Sequence, residues 1–252
     1  SQSDPRSASL AASSAATSPR SRLAPRATRA RARLTSAGVM ADMLISLRRA
    51  CPCPGGHHGP GLGRMALMRI TALAGGIGGA RFLRGLRDHL TEAAGDHTIT
   101  VVGNVGDDIW LFGLKVSPDL DTVMYTLGGG IDEDRAWGRS DETFNAAAEL
   151  KAYKAKPDWF GLGDRDLATH LIRTQMLEAG YPLSTVTAAL CARWQPGVEL
   201  LPASDERLET HVVVEDGDGD RRAMHFQEWW VRHRASLPAE QFVYIGADEA
   251  RP

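Results

Sequence analysis

A strand, a glycine-rich turn and the start of a helix follow one another in residues 68–81, and this stretch constrains the fold more than any other. Residues 70–74 form an apolar run that is long enough for one buried strand. The turn that follows contains four glycines, Gly75, Gly76, Gly78 and Gly79. Glycine lets the backbone approach an anion, and the first N–H groups of a helix are free to bind phosphate. The stretch therefore predicts a phosphate-binding turn in an α/β protein.

The spacing of these glycines differs from the dinucleotide-binding fingerprint. A G-x-G-x-x-G pattern that started at Gly76 would need glycine where Arg81 stands. We expect Arg81, one turn into the helix, to close over a bound phosphate. The alternative is a tight strand–helix connection that binds no ligand.

The charge of the chain is divided unevenly between two segments. Residues 1–67 contain ten arginines, no lysine and two aspartates, whereas residues 68–252 contain 19 basic and 29 acidic side chains. The acidic segment argues against a nucleic-acid partner. No apolar run in the sequence approaches the roughly 18 residues that a membrane-spanning helix needs. We therefore expect no membrane partner and a cytoplasmic location.

We interpret residues 1–67 as a leader that is separate from a folded domain at residues 68–252. Its Ala, Ser, Arg, Pro and Gly residues could not bury enough apolar surface to offset the cost of ordering the chain, which predicts disorder. An organelle transit peptide and a basic arm for nucleic acid are two explanations of such a leader. The explanation that we favour is a translation start at Met68 or Met65, because Met68 directly precedes the first strand.

A second strand, predicted for residues 98–102 from its β-branched composition, leads into a loop that carries two adjacent acids. This loop, residues 103–108, contains Asn104, Asp107 and Asp108. The carboxyl ends of parallel strands line the ligand crevice, so these acids would stand beside the glycine turn. Carboxylates there would repel a phosphate unless a divalent cation lay between them. The pairing predicts Mg²⁺ between protein carboxylates and a diphosphate.

A helix predicted for residues 119–127 begins with two more acids. Pro118 favours the first turn of a helix, and Asp119 can satisfy the free N–H groups there. We assign Asp121 to the metal site. The alternative, in which both acids merely cap the helix, applies more readily to Asp119 than to Asp121.

Residues 158–166 resemble a second binding loop, because two glycines stand beside three acids and an arginine where a helix begins. Asp166 is explained equally well as an ordinary helix N-cap. Asp164 and Arg165 are harder to explain in that way, and we assign them to ligand binding.

The rest of the chain alternates between helix and strand patterns, which indicates an α/β fold. We predict a Rossmann-like parallel sheet flanked by helices, with a helical insertion at residues 131–158 that contains a helix at 142–154. The further helices are expected at 166–179 and 183–194, and the further strands at 199–201, 210–215, 223–226 and 242–246. A hairpin turn at residues 216–220 is expected to pair the strand at 210–215 with the one at 223–226. The paired tryptophans of residues 227–234 either stack on a flat aromatic ligand or belong to a half-buried amphipathic helix.

Five motifs, in order along the chain, resemble those of the 2-phospho-L-lactate transferase family, whose members build the deazaflavin coenzyme F-420. They are residues 74–81 (Ala-Gly-Gly-Ile-Gly-Gly-Ala-Arg), 103–108 (Gly-Asn-Val-Gly-Asp-Asp), 118–122 (Pro-Asp-Leu-Asp-Thr), 159–166 (Trp-Phe-Gly-Leu-Gly-Asp-Arg-Asp) and 225–231 (His-Phe-Gln-Glu-Trp-Trp-Val). The insert resembles that of the actinobacterial branch. Family members continue well beyond residue 247, so we expect this domain to be truncated at its C-terminus.

The resemblance implies an Mg²⁺-dependent enzyme that acts on a guanosine diphosphate-linked donor. A phosphoenolpyruvyl group, or in other branches a 2-phospho-L-lactyl group, passes from the donor to the ribityl hydroxyl of the deazaflavin Fo, and GMP is released. The four glycines, Arg81, Asn104, Asp164 and Arg165 would bind the donor. A homodimer is one assembly that such a protein could form.

The resemblance also implies roles for three acids. Asp107, Asp108 and Asp121 would surround Mg²⁺, with the two direct ligands left open. Asp108 and Asp121 would be catalytic, and Asp108 would orient or deprotonate the incoming hydroxyl.

Two other classes of function compete with this interpretation. A nicotinamide oxidoreductase would explain the glycines, but it would not explain the paired acids of residues 107–108 together with those of residues 119–121. A nucleotide or nucleotide-sugar binding regulator without transferase activity would share a similar glycine turn.

Overall fold

The computed structural model of the protein describes residues 68–92, 97–215 and 219–251. The predicted disorder of residues 1–67 lies outside these residues, as does part of the turn expected between the strands at 210–215 and 223–226. None of the helices in the described ranges is long and apolar enough to span a bilayer.

Strands and helices alternate along the described residues. The strands are β1 (Met68–Ala74), β2 (His97–Gly103), β3 (Ile109–Leu111), β4 (Leu114–Val116), β5 (Glu199–Pro202), β6 (Glu209–Glu215), β7 (Arg221–His225) and β8 (Ala239–Ile245). The helices are α1 (Gly76–Glu92), α2 (Pro118–Leu127), α3 (Asn145–Ala152), α4 (Asp166–Glu178) and α5 (Leu183–Trp194), and a π-helical turn covers Glu228–Arg232.

A parallel sheet with the strand order β1–β2–β5 lies at the centre of the fold. The main apolar core combines β2 and β5 with residues of α1, α2 and α5, and it includes the fully buried Val101. The α/β class and the parallel sheet flanked by helices are therefore confirmed. Ala74 pairs with Gly103 in the register of β1 and β2, and the N–H of Asn104 donates to the carbonyl of Ala74 at 2.9 Å. The loops after β1 and β2 consequently leave the sheet side by side.

Helix α2 is buried along almost its whole length and crosses the end of β2. All its residues from Leu120 to Leu127 are buried. A Cβ on Gly103 would lie only 2.5 Å from Cδ2 of Leu120, so this glycine permits the close approach of helix and strand. Pro118 occupies the first turn, as predicted. The packing brings the first turn of α2, and the carboxylate of Asp119 in it, next to the loops after β1 and β2.

The strands at 210–215 and 223–226 belong to a second sheet, which is antiparallel with the order β7–β6–β8. The expected pairing of the first two is confirmed, but they do not extend the parallel sheet. β6 alternates buried Val212 and Val214 with less buried neighbours, as a strand with one packed face requires. The N–H of Thr210 donates to the carbonyl of Gly106 at 2.6 Å, which attaches this sheet to the loop after β2.

The insertion predicted at residues 131–158 contains one helix, α3, and otherwise turns and irregular chain. Its start is fixed by contact between glycines and the ring of Trp194. A Cβ on Gly130 would lie 2.1 Å from Cζ3 of that ring, and a Cβ on Gly128 would lie 2.8 Å from the Trp194 carbonyl oxygen. Only glycine fits at these two positions without moving the ring.

Candidate functional site

The glycine turn lies at the carboxyl end of β1, and helix α1 begins within it at Gly76. Gly76 has a φ of +62°, a left-handed conformation that favours glycine. A Cβ on Gly75 would lie 2.8 Å from Oδ2 of Asp119 and 3.2 Å from Cβ of Asn104. A Cβ on Gly78 would meet nothing within 4 Å. Gly75 therefore admits an acid from α2, while the backbone at Gly78 is open to an approaching ligand.

Gly79 serves the packing of α1 on β1. A Cβ on Gly79 would lie 3.2 Å from the Cβ of Ala74, tighter than most real contacts of this kind. This role is the usual one for the last glycine of a strand–turn–helix unit. The side chain of Arg81 is exposed, and its charge helps to lower the pKa of Glu133 in the insertion.

Asn104 joins the three elements that meet at this turn. Its Nδ2 donates to Oδ2 of Asp119 at 2.8 Å, and its Oδ1 accepts from the N–H of Gly106 at 3.0 Å. The Asn104 side chain also lowers the pKa of the Asp107 carboxylate, and the backbone of Gly76 lowers that of Asp119. Two half-buried carboxylates, Asp107 and Asp119, thus lie near one asparagine next to the glycine turn.

The carboxylates of Asp107 and Asp119 concentrate negative charge beside the glycine turn. Burial raises the pKa of Asp107 to about 6, and the nearby charge of Asp119 adds to that rise. Burial also raises the pKa of Asp119, although bonds from Asn104 and Gly76 oppose the rise. Two carboxylates that each destabilise the other's ionised form would both be ionised readily if a cation lay between them.

Asp108 faces the opposite way, into the protein, and is only 1% exposed. Its Oδ2 accepts from Oγ of Ser117 at 2.8 Å and lies 3.1 Å from Nζ of the buried Lys115. Its Oδ1 has no hydrogen-bond partner among the described residues. Burial raises the pKa of Asp108 to about 6, against the lowering effect of Lys115.

Asp121 also faces inward, where it forms a bidentate ion pair with the buried Arg173 of α4. The Asp121 carboxylate receives Nη1 at 3.1 Å, and Nη2 bonds its other oxygen. Nδ1 of His170 lies 3.2 Å from Nη1 of the same guanidinium, and Nε2 of His170 lies 3.3 Å from Oδ2 of Asp166. This network ties α2 to α4 through charged groups that are nearly excluded from water.

The structure does not make a three-carboxylate site from the acids that we assigned to metal. In the described ranges, no group of three or more His, Cys, Asp or Glu side chains is placed to hold a metal ion. Asp107 lies at the glycine turn, while Asp108 and Asp121 are engaged with Lys115 and Arg173. Metal binding by this trio stays a prediction, and the pair that the structure brings together is Asp107 with Asp119.

The sequence interpretation undervalued Asp119 and overlooked Lys115. We considered Asp119 mainly as a helix cap, yet its carboxylate reaches the glycine turn rather than the N-terminus of α2. Lys115 is the one charge in the apolar run 110–116, which the structure folds into the β3–β4 hairpin. A lone lysine in such a run signals a buried counter-ion, and this signal could have revealed the partner of Asp108.

Within the loop at residues 158–166, Asp164 has a structural role. The carboxylate of Asp164 accepts from the N–H groups of Asn145 and Ala146 at 2.9 Å each and from the hydroxyl of Thr143 at 2.7 Å. These bonds cap α3 and hold the pKa of Asp164 at about 2. Arg165 has a half-exposed side chain whose ion-pair partner, Asp141, is 4.0 Å away. Ligand binding by Asp164 and Arg165 stays a prediction, and only Arg165 keeps a side chain free to act on it.

An aromatic cluster follows β7 at the π-helical turn. Trp230 is 57% exposed and stacks on Phe226 with 10° between the ring planes and 6.1 Å between their centres. Trp229 turns the other way, and its Nε1 donates to the carbonyl of Leu237 at 2.8 Å. One tryptophan therefore anchors the turn while the other presents a flat face.

A cavity of about 970 Å³ opens at the opposite, amino-terminal end of the parallel sheet. Its lining includes Arg69, residues 97–100 and Glu199. Ligands of open parallel sheets bind beyond the carboxyl ends of the strands. The glycine turn and the acids are found there, so the candidate site is at the turn and not in this cavity.

Comparison with known proteins connects this chain to one family. The model of the family "2-phospho-L-lactate transferase CofD" matches residues 70–252. A phosphoenolpyruvate transferase of Thermobifida fusca is 67% identical over 189 residues, which are 73% of this chain and 58% of that protein. A phosphoenolpyruvate transferase of Streptomyces coelicolor is 68% identical over 185 residues, which are 73% of this chain and 56% of that protein.

The same relationship extends to Mycolicibacterium smegmatis, whose phosphoenolpyruvate transferase is 64% identical over 189 residues, or 73% of this chain and 58% of that protein. The chain thus spans slightly more than half the length of these relatives. A crystal structure of a Bacillus halodurans protein superimposes with a TM-score of 0.44 at 14% identity, over 74% of this chain and 53% of that one.

Proposed function

Because this chain belongs to the 2-phospho-L-lactate transferase CofD family, we propose that it acts in the biosynthesis of coenzyme F-420. In the proposed reaction, a phosphoenolpyruvyl group passes from a guanosine diphosphate-linked donor to the ribityl hydroxyl of Fo, and GMP leaves. The three relatives described above are named phosphoenolpyruvate transferases, which favours this donor over the 2-phospho-L-lactyl one. We place the reaction in the cytoplasm.

The observation that carries the proposal is the position of Asp107 and Asp119 beside the open glycine turn. Mg²⁺ is usually bound by one or two protein carboxylates together with substrate phosphates. Asp107 and Asp119 fit that pattern, because each raises the other's need for a neighbouring positive charge. They would hold Mg²⁺, and the ion would supply charge neutralisation for the diphosphate and for the departing GMP.

The chain's own groups provide the rest of the donor site. The backbone at Gly78 is open, and the first N–H groups of α1 face the carboxyl end of the sheet, as phosphate-binding turns require. Asn104 holds the Asp119 carboxylate through its Nδ2, and its Oδ1 holds the loop that carries Asp107 through the N–H of Gly106. Phosphoryl transfer depends mostly on positioning and charge neutralisation, so this arrangement contains the main elements that the reaction needs.

Asp108 and Asp121 act differently in this proposal from what the sequence suggested. Both are buried and paired with Lys115 and Arg173, so neither carboxylate meets an incoming hydroxyl directly. We propose that they hold the loop after β2 and the first turn of α2 in position. The exposed face of Trp230 is our proposal for the surface that stacks on the deazaflavin ring of Fo.

One incubation tests the proposal. The full chain is mixed with Fo, Mg²⁺ and either guanylated phosphoenolpyruvate or guanylated 2-phospho-L-lactate, and the product is identified by mass. We expect the phosphoenolpyruvyl product, its loss in Asp107→Asn and Asp119→Asn, and its retention in the control Asp134→Asn, which removes an exposed carboxylate from the insertion. Binding of GDP without any product would favour the nucleotide-binding alternative.

A further inference from the structure

The antiparallel sheet holds the backbone on both sides of Asp107. The carbonyl of the preceding residue, Gly106, accepts from the N–H of Thr210 at 2.6 Å. The carbonyl of the following residue, Asp108, lies 3.1 Å from Nε2 of His225. β6 and β7 thus contact the carbonyl groups of the two residues on either side of Asp107.

The neighbours of His225 fix the position of its ring proton. Its Nδ1 accepts from the backbone N–H of Gln227 at 3.1 Å. A nitrogen that accepts a hydrogen bond carries no proton, so in the neutral ring the proton is on Nε2. His225 therefore donates to the carbonyl of Asp108, and this bond uses the side chain, unlike the one from Thr210.

The ring is also held laterally. His211 of β6 meets it edge to face, with 5.4 Å between the ring centres. Nε2 of His211 in turn lies 3.1 Å from the buried carboxylate of Glu209, which Arg207 also binds at 2.7 Å. A ring restrained by Gln227 and His211 has little freedom to rotate away from the Asp108 carbonyl.

The loop needs such restraint because repulsion between the ionised carboxylates of Asp107 and Asp119 opposes the arrangement that brings them together. Asp107 and Asp119 repel each other when both are ionised. Gly106 adds backbone freedom next to Asp107, and a Cβ there would lie 3.0 Å from Oγ1 of Thr210 and 3.2 Å from Oδ1 of Asn104, so a larger residue would have to displace these side chains. Without external contacts, rotation about residues 106–108 would separate the two carboxylates.

We propose that His225 is a positioning residue of the candidate site. Its Nε2–H bond to the Asp108 carbonyl holds the loop so that Asp107 faces Asp119, and this bond sets the affinity of that pair for a divalent cation. The inference rests on the proposed function only in taking the pair to be the cation site.

Mn²⁺ binding to the full chain, followed by the electron paramagnetic resonance signal of the free ion, tests this role. His225→Phe keeps a flat ring but removes the donor, and we expect it to weaken Mn²⁺ binding at least tenfold. His225→Gln restores an N–H donor at a similar reach, and its dissociation constant should stay within threefold of wild type. The matched control His211→Phe keeps the ring contact with His225 and should also stay within threefold.

Amide hydrogen exchange provides a second measurement that needs no metal. In His225→Phe, the peptide covering residues 103–111 should exchange at least tenfold faster than in wild type, while His225→Gln should not change it. Equal weakening in His225→Phe and His225→Gln would reduce the residue to a packing role and overturn the inference. So would unchanged Mn²⁺ affinity in His225→Phe.

These outcomes separate the inference from the proposed function. Wild-type protein that binds no Mn²⁺ would overturn both the cation site and the effect of His225 on it. Wild-type protein that binds Mn²⁺ and forms product, together with a His225→Phe variant that binds Mn²⁺ equally well, would overturn the inference alone.

Discussion

Glu142 and Asp164 each cap the helix that begins beside the other. Asp164, which stands just before α4, accepts from the first N–H groups of α3 at 2.9 Å. Glu142, which stands just before α3, accepts from the N–H groups of Arg165 at 2.6 Å and Asp166 at 3.1 Å, where α4 begins. The two carboxylates satisfy free N–H groups at both helix starts and thereby join the insertion to α4.

The first prediction concerns Glu142. Glu142→Ala should lower the free energy of unfolding by about 1 kcal/mol, because the first N–H groups of α4 lose their partner. Urea unfolding followed by circular dichroism measures the change. Glu149→Ala, which removes an exposed glutamate from the middle of α3, is the control and should stay near wild type. Equal stability of the two variants would contradict the capping role.

The second prediction is that Asp164 makes the stability of the fold depend on pH in the acid range. Backbone and side-chain hydrogen bonds hold the pKa of Asp164 at about 2, below the value of about 4 in an unfolded chain. The unfolded state therefore binds more protons in this window, so the stabilising contribution is complete above about pH 4 and is lost as the pH falls toward 2. The free energy of unfolding, measured from pH 5 to 2, should fall less steeply in Asp164→Asn than in the wild type. An identical slope in the variant would show that other groups cause the acid sensitivity.

The third prediction separates Asp121 from Asp119. Asp121→Asn leaves the guanidinium of Arg173 buried and unpaired, and it should cost about 3–5 kcal/mol of stability. The double variant Asp121→Asn/Arg173→Met should recover part of that loss, because no buried charge is left without a partner. Asp119→Asn should leave stability unchanged or raise it, since it removes one of two repelling carboxylates, while it abolishes Mn²⁺ binding. A small effect of Asp121→Asn on urea unfolding would contradict the ion-pair role.

The fourth prediction concerns the pH profile of the metal-free protein. Burial first, and the charge of Asp119 second, raise the pKa of Asp107 to about 6. The native state then binds more protons than the unfolded state between about pH 4 and 6, so stability falls as the pH rises through that window. Asp107→Asn should make the fall shallower, and the share that remains belongs to Asp108, whose pKa is also about 6, and to Asp119, whose pKa is raised by burial. Excess Mg²⁺ should restore stability above pH 6 in the wild type only.

The fifth prediction tests the close contact at Gly75. Gly75→Ala places a Cβ 2.8 Å from the Asp119 carboxylate, which must move away from the turn. We expect weaker Mn²⁺ binding, by tenfold or more, without unfolding. Gly85→Ala is the matched control in the middle of α1, where an added Cβ meets nothing within 4 Å. It should raise stability by about 1 kcal/mol through helix propensity and leave Mn²⁺ binding unchanged.

The sequence predicted the local elements of the site well, because these depend on short-range patterns. The glycine turn, the loop that carries Asn104 and Asp107, and the first turn of α2 all lie where hydrophobic periodicity and turn residues indicated. The rule that ligands bind at the carboxyl ends of parallel strands then places the first two of these segments side by side.

The direction of each acid could not be predicted in the same way. Asp119 and Asp121 are two residues apart in a helix, so their side chains point about 200° apart around its axis. One of them had to face the turn and the other the interior. The deciding partner of Asp121 is Arg173, which lies 52 residues further along the chain. No local pattern around Arg173 identifies it as that partner, because only the tertiary arrangement of α4 and α2 brings the two side chains together.

The antiparallel sheet was only partly predictable for a related reason. The pairing of β6 and β7 follows from the short connection between two predicted strands. The place where that pair packs depends on contacts such as Thr210 with Gly106, which join residues that are about a hundred positions apart. Local patterns contain no information about such contacts.

Helix α2 carries one acid toward the glycine turn and one toward the protein interior. One acid of this turn is thereby available at the surface, while the other holds the fold together. An engineer could exchange the outward acid for a different ligand, and so change which ion or substrate is accepted, while the inward acid continues to hold the scaffold together.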